Sequence, residues 1–152
     1  MRRKDREKSE EFALRVVDTS AFSTLATVNG DGSPYCIPFS PAREGEWLYF
    51  HSAPEGQKID NLRRLGKVCV SCAGDIKVIP GIFGIEYKSA VIKGTASEIT
   101  GKDEKIRALK IISERYTPDD MPFFDKAIEG GLERTAVFKI HIDEITGKER
   151  VK

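Results

Sequence analysis

The chain has 152 residues, 39% of them hydrophobic and 32% charged, with a formal net charge of +1. So even a balance gives no electrostatic reason to expect nucleic acid or a membrane surface as partner, and no apolar run approaches the ~18 residues that a membrane helix needs. At this length the expectation is one domain covering residues 1–152, with a slightly lean core that suggests apolar surface shared with a second subunit.

Residues 1–8 carry five basic and two acidic side chains and read as a solvated arm. No apolar stretch follows, as a secretory signal would require, so the cytoplasm is the expected address and Cys36, Cys69 and Cys72 are expected as reduced thiols. Ser9 is placed to cap a helix reaching about Val17. From Phe22 to Val28 the residues are strand formers, and Asn29-Gly30-Asp31-Gly32 is a hairpin turn signal. The return strand, Ser33 to Ser40, puts Tyr35, Ile37 and Phe39 on one face. Pro38, which donates no ladder hydrogen bond, marks it as an edge or a bulge. Trp47 to His51 is a third strand, apolar on both faces and therefore covered on both.

Ser52-Ala53-Pro54-Glu55 has the spacing of a capping box, opening a helix to about Leu65. Val68 to Ala73 is a fourth strand, and residues 74–84, with Pro80, Gly81 and Gly84, read as a loop. Tyr87 to Ile99 is a long strand with a bend or bulge expected at Gly94. Helices follow from Thr100 and from Asp120, the second closed by Gly130-Gly131. Thr135 to Ile145 is the last strand. About six strands and three or four helices suit an α+β barrel with helices packed outside.

Most chemistry-bearing patterns are missing or weak. Cys69 and Cys72 are three apart on a strand and point to opposite faces, so they do not form one metal or dithiol site. There is no nucleophile elbow, Walker loop, dinucleotide fingerprint or calcium loop. His141 alternates with apolar residues and reads as a surface position. The exception is the segment from His51 to Lys58. A strand running into a helix start presents free amides, and the Ser52 hydroxyl and the Lys58 ammonium beside them favour an anion such as phosphate. Arg63 and Arg64 would add positive field. Against this, Glu55 brings negative charge and Ser52 is equally suited to capping. The aromatics Tyr35, Phe39, Trp47, Tyr49, Phe50 and Tyr87 suit either a planar ligand or, more simply, a core.

The string Tyr49-Phe50-His51-Ser52-Ala53-Pro54-Glu55-Gly56-Gln57-Lys58-Ile59-Asp60-Asn61-Leu62-Arg63-Arg64 resembles the signature segment of nitroimidazole-resistance proteins, a branch of the pyridoxamine-phosphate-oxidase-like flavin-binding family. The opening Met-Arg-Arg-Lys-Asp-Arg-Glu, the stretch Gly32 to Pro38 and the stretch Ser89 to Ala96 agree with it in order. The resemblance implies a six-stranded-type antiparallel split β-barrel with flanking helices, a homodimer, and one FMN in each of two interface clefts. It implies that His51, Ser52 and Lys58 hold the phosphate end, with Gln57 among the contacts of that segment. It also implies that Pro38, Phe39 and Ser40 run beside the isoalloxazine and that Tyr87 and Ser89 contribute from the partner-facing strand. The activity implied is flavin-dependent reduction of a small-molecule acceptor. The alternatives are a flavin carrier or sensor without turnover, or a barrel of this fold holding haem or a deazaflavin. The late part of the chain offers only Arg134, Lys139, Lys148 and Arg150 toward a pyridoxal-phosphate pocket, so vitamin B6 oxidation is not expected.

Overall fold

The computed structural model describes residues 2–81 and 83–151. Met1 of the expected arm, Ile82 of the expected loop and Lys152 lie outside the described residues. The elements in chain order are β1 (Glu7–Lys8), α1 (Glu10–Thr19), β2 (Ser23–Val28), β3 (Pro34–Phe39), β4 (Ala42–Glu44), β5 (Trp47–Ser52), α2 (Gln57–Arg64), β6 (Lys67–Ile79), β7 (Gly84–Glu98), α3 (Lys102–Tyr116), α4 (Phe124–Gly131) and β8 (Ala136–Arg150). Short 3-10 turns cover Lys4–Arg6, Pro118–Phe123 and Leu132–Arg134.

All pairings are antiparallel, in the order β3-β2-β6-β7-β8-β5-β4, with β1 added to β8. Six longer strands curl around a core in which Leu25, Phe50, Ile92, Phe138 and Ile140 are buried together with Val17 of α1 and Ile59 of α2. The sheet is split where β3 ends: β3 pairs only with β2, and it meets β5 through side chains, Phe39 standing edge-on to Phe50 with ring centroids 5.3 Å apart. Pro38 therefore sits on an edge strand, where its missing N–H costs little.

The second core lies outside the barrel. There α3 lays Ala108 and Ile112 over Tyr49 of β5 and Val137 of β8. This is the double cover that the apolar β5 required: Leu48 and Phe50 point into the barrel and Tyr49 points toward α3.

Several expectations change. The N-terminal arm is tied to the sheet, since Glu7 and Lys8 pair with Lys148 and Gly147. Ser9 does cap α1, accepting from the Phe12 amide at 3.2 Å. Residues 74–79 continue β6 rather than forming a loop. A register shift between Gly74 and Lys77 lets the ladder resume at Lys77–Glu86, so only the turn around Pro80 and Gly81 remains. The helix expected from Thr100 begins at Lys102 behind Gly101, and the one expected from Asp120 is a 3-10 turn leading into α4. The last strand runs on to Arg150 because a bulge at Asp143 shifts its phase: Gly94 faces Ile142 and Lys93 faces Glu144. Gly94 is required at this point, because a Cβ there would lie 2.6 Å from the His141 carbonyl oxygen.

Candidate flavin-binding site

Strand β5 delivers His51 and Ser52 at its end, opposite Val137 and Ala136 of β8. The chain then turns to Gly56, whose φ of 120° suits glycine and which serves as N-cap of α2. No side chain caps this helix. The capping-box reading of Ser52 and Glu55 is thus overturned: Ser52 stays in the β5–β8 ladder and the helix starts five residues later. The amides of Ile59 and Asp60 are bonded to the Gly56 carbonyl. Those of Gln57 and Lys58, at the head of the helix, have no carbonyl of a preceding turn to bond.

Lys58 is half-buried, with Nζ 5.9 Å from the centroid of the Phe50 ring. Among the described residues no carboxylate pairs with it. Burial alone holds its ammonium below the ordinary lysine value. His51 is exposed, yet the protein around its ring desolvates it enough to lower its pKa, and the nearby charge of Lys58 lowers it further. An uncompensated cation, an uncapped helix start and a hydroxyl at the end of β5 together fit a phosphate, which would offset the cost of holding Lys58 charged.

The rest of the segment holds α2 in place. The Asn61 side chain is buried and donates to Thr27 Oγ1 at 3.0 Å and to Asn29 Oδ1 at 2.8 Å, tying the helix to the β2–β3 hairpin. Gln57 is exposed and donates to Asn61 at 3.0 Å, so its side chain is committed to this network, leaving its backbone amide toward the helix start. Arg63 pairs with Glu98 and reaches the Pro54 carbonyl, and Arg64 bonds the carbonyls of Val28 and Asn29. Arg63 is thus neutralised by Glu98, while both arginines also clamp backbone carbonyls.

Phe39 and Lys58 are both neighbours of the Phe50 ring, which is the one contact that links the Pro38–Ser40 stretch to this point. Phe39 itself is buried, so its side chain is core and only its backbone is available at the open edge of β3. Tyr87 and Ser89 are not brought to the same place. In register, Pro38 lies beside Thr24, Ser71 and then Val91, and Ser89 is two residues further along β7. That path puts Ser89 ~15 Å along the sheet from Pro38, and Tyr87 further still.

The path itself was not legible as a site. Its outward side chains, Cys36 and Pro38 on β3, Thr24 on β2, Cys69, Ser71 and Ala73 on β6 and Ser89 and Val91 on β7, are uncharged, with Lys93 opposite Cys69 as the exception. They lie on the opposite side of the sheet from buried Leu25, Val70, Cys72 and Ile92. The signal was present in the sequence as strands whose outward positions carry few charges.

The sequence matches the model of the pyridoxamine 5'-phosphate oxidase family over residues 9–149. No curated protein matches it. Among solved structures it is similar to a proposed 5-nitroimidazole antibiotic resistance protein from Bacteroides thetaiotaomicron, at 28% identity and a TM-score of 0.80, covering 93% of this chain and 84% of that one. It shares its fold with a FAD-binding protein from Mesorhizobium loti (22% identity, TM-score 0.72, 96% and 98% covered) and with a FAD and haem binding protein from Mycobacterium smegmatis (23% identity, TM-score 0.84, 97% and 74% covered). The matched residues take in every strand from β2 to β7 and nearly all of β8, together with the His51–Lys58 segment, and the chain belongs to the pyridoxamine 5'-phosphate oxidase family.

Proposed function

We propose that this chain is an FMN-binding flavoprotein of the cytoplasm that works as a homodimer and reduces small molecules, the nitro group of a nitroimidazole being the model acceptor. The observation that carries the flavin reading is Lys58, a half-buried ammonium without a carboxylate at the uncapped start of α2. The dimer reading rests on the mostly small and uncharged outer face of β3, β2, β6 and the middle of β7, which no helix among the described residues covers. It also rests on the separation of Tyr87 and Ser89 from Pro38 along the sheet, which a second copy of the chain would bridge.

In this arrangement Ser52 and the amides of Gln57 and Lys58 receive the phosphate, and Lys58 neutralises it. His51 stands beside it, where an added anion favours the protonated ring. The backbone at Pro38, Phe39 and Ser40 faces the ring system along the open edge of β3, and the partner copy supplies Tyr87 and Ser89. A flavin held there would supply electron pairs for reducing a small acceptor, drawn in turn from a reduced nicotinamide, with protons from solvent and nitro oxygen leaving as water. The chain's part is to bind, orient and exclude water. Of the late cationic residues, Arg134 is bonded to the Gly130 carbonyl and Lys139 to Glu104.

The test is an absorption spectrum after incubation with FMN and desalting, followed by nicotinamide-dependent reduction of a nitroimidazole. Flavin bands retained by the wild type and lost in Lys58→Ala, with turnover, support the reading. A protein that retains FMN without turnover is a carrier or sensor. One that takes up no FMN contradicts the proposal.

A further inference from the structure

Two segments have no role in the reading above: the basic N-terminal arm and residues 74–86. They meet at Arg150, at the far end of the β7–β8 ribbon. Pairing of β1 with β8 lays Arg3, Arg6 and Lys8 against Glu149 and Arg150, enclosing a cleft of about 510 Å³. Lys8 is neutralised by Glu149 at 2.8 Å and Arg3 by Asp5 at 2.6 Å, the same carboxylate that lies 3.8 Å from Arg6. Arg150 has no acidic partner among the described residues. Neither has Lys148, which stands 5.6 Å over the ring of Tyr87. Around this cleft positive charge is in excess, although the chain as a whole is almost neutral.

The other side of Arg150 is apolar. Its guanidinium lies over Gly84, where an added Cβ would come within 2.6 Å of it. It also lines a second, open depression of about 480 Å³ with Val78, Pro80, Phe83 and Ile85. Val78, Phe83 and Ile85 are exposed large side chains at the tip of the β6–β7 hairpin, at 77%, 106% and 44% of full exposure. Val78 and Ile85 are a cross-strand pair and so share one face. Surplus cations on one side of a guanidinium and a flat apolar surface on the other match a ligand with phosphates at one end and an aromatic base at the other. Lys148 first, and Arg6 second, also hold the Tyr87 phenol below its ordinary value, as a locally positive field would.

We infer that the junction at Arg150 is a binding subsite for a nucleoside diphosphate moiety, with Arg6, Lys148 and Arg150 taking the phosphates and Val78, Phe83 and Ile85 the base. This deepens the flavoprotein reading and rests on it for its purpose, because an ADP half is shared by reduced nicotinamide dinucleotides and by FAD. The moiety belongs either to the electron donor or to the flavin's own extension.

The test is calorimetric titration of the full chain with ADP, in the wild type and in Arg150→Ala, Arg6→Ala and Lys58→Ala. Arg6 lies in the N-terminal 3-10 turn and Arg150 at the end of β8, neither in the core, and circular dichroism checks that each variant is folded. The expected result is ADP binding weakened at least tenfold in each arginine variant and unchanged in Lys58→Ala, with FMN affinity unchanged in Arg150→Ala. No ADP binding by the wild type, or binding lost only in Lys58→Ala, overturns the inference. If FMN fails to bind while ADP binds as expected, the flavin reading falls and the subsite stands; the reverse pattern removes only the subsite. With FMN loaded, loss of NADH and NADPH binding in Arg150→Ala assigns the site to the donor. Loss of a preference for FAD over FMN in that variant assigns it to the flavin.

Discussion

The two outer halves of the one sheet are treated differently. Over β5 and the first part of β8, α3 closes a second core: Tyr49 is 5% exposed and Val137 fully buried, and Tyr116 donates to the Pro41 carbonyl at 2.8 Å. Over β3, β2, β6 and the middle of β7 there is no such cover among the described residues, yet the outward residues Pro38, Thr24, Ser71, Ala73 and Val91 are uncharged, Lys93 opposite Cys69 being the exception. A face exposed to water throughout its life carries charge at such positions, especially when an edge strand borders it. The second half is the less charged of the two where it is uncovered, and the proposed occupants are a second copy and a flavin.

The largest effect should come from damaging the half already covered. Ile112→Ala is expected to cost about 2–5 kcal/mol, as large-to-small changes in a core do, with a lower Tm and no change in oligomeric state. The opposite pattern is expected on the uncovered half: Val91→Arg should leave Tm nearly unchanged while raising the dimer dissociation constant at least tenfold, read by sedimentation. If Val91→Arg instead unfolds the chain, the two halves are not distinct in the way argued here. Next in size is Lys58→Ala, expected to weaken FMN tenfold or more, about 1.4 kcal/mol, without altering the melt.

The smallest effect concerns the bulge that aligns the two halves. Thr95 donates to Asp143 at 2.6 Å, and His141 Nδ1 lies 2.8 Å from the same carboxylate. The Thr95 hydrogen bond first, and that of His141 second, lower its pKa to about 2. Because the folded value lies below the unfolded one, the stabilisation is complete above the ordinary carboxylate pKa of about 4 and is lost as the pH falls toward 2. Asp143→Asn should therefore flatten the stability profile between those values and leave neutral-pH dimerisation intact, as measured by denaturant melts across pH.

The sequence made the strands legible wherever alternation was clean, as in β2, β3 and β5, and where a turn residue fixed the end, as at Asn29-Gly30. It failed where a bulge broke the phase. Asp75, with φ of 52°, lies in the register shift between Gly74 and Lys77 and hid the second half of β6, while Asp143 hid the polar end of β8. Of the candidate site, the position of Lys58 at a strand-to-helix turn was legible because such a turn bearing a lysine has a physical meaning. Ser52 was misjudged as a possible cap because the spacing to Glu55 is right, although the β5–β8 ladder keeps it. The roles of Arg63 and Arg64 depend on Glu98 and on hairpin carbonyls 35 and 36 residues away, which no local pattern reveals. The cluster at Arg150 was invisible for the same reason, being drawn from the two ends of the chain.

The central claim is that one flavin site is built by two copies of this chain. Native mass spectrometry of the protein after FMN loading and desalting tests it most directly. The account predicts a dimer carrying two FMN molecules in the wild type, a dimer with little or no FMN in Lys58→Ala, and a monomer without FMN in Val91→Arg. A Val91→Arg monomer that keeps FMN as tightly as the wild type would contradict it.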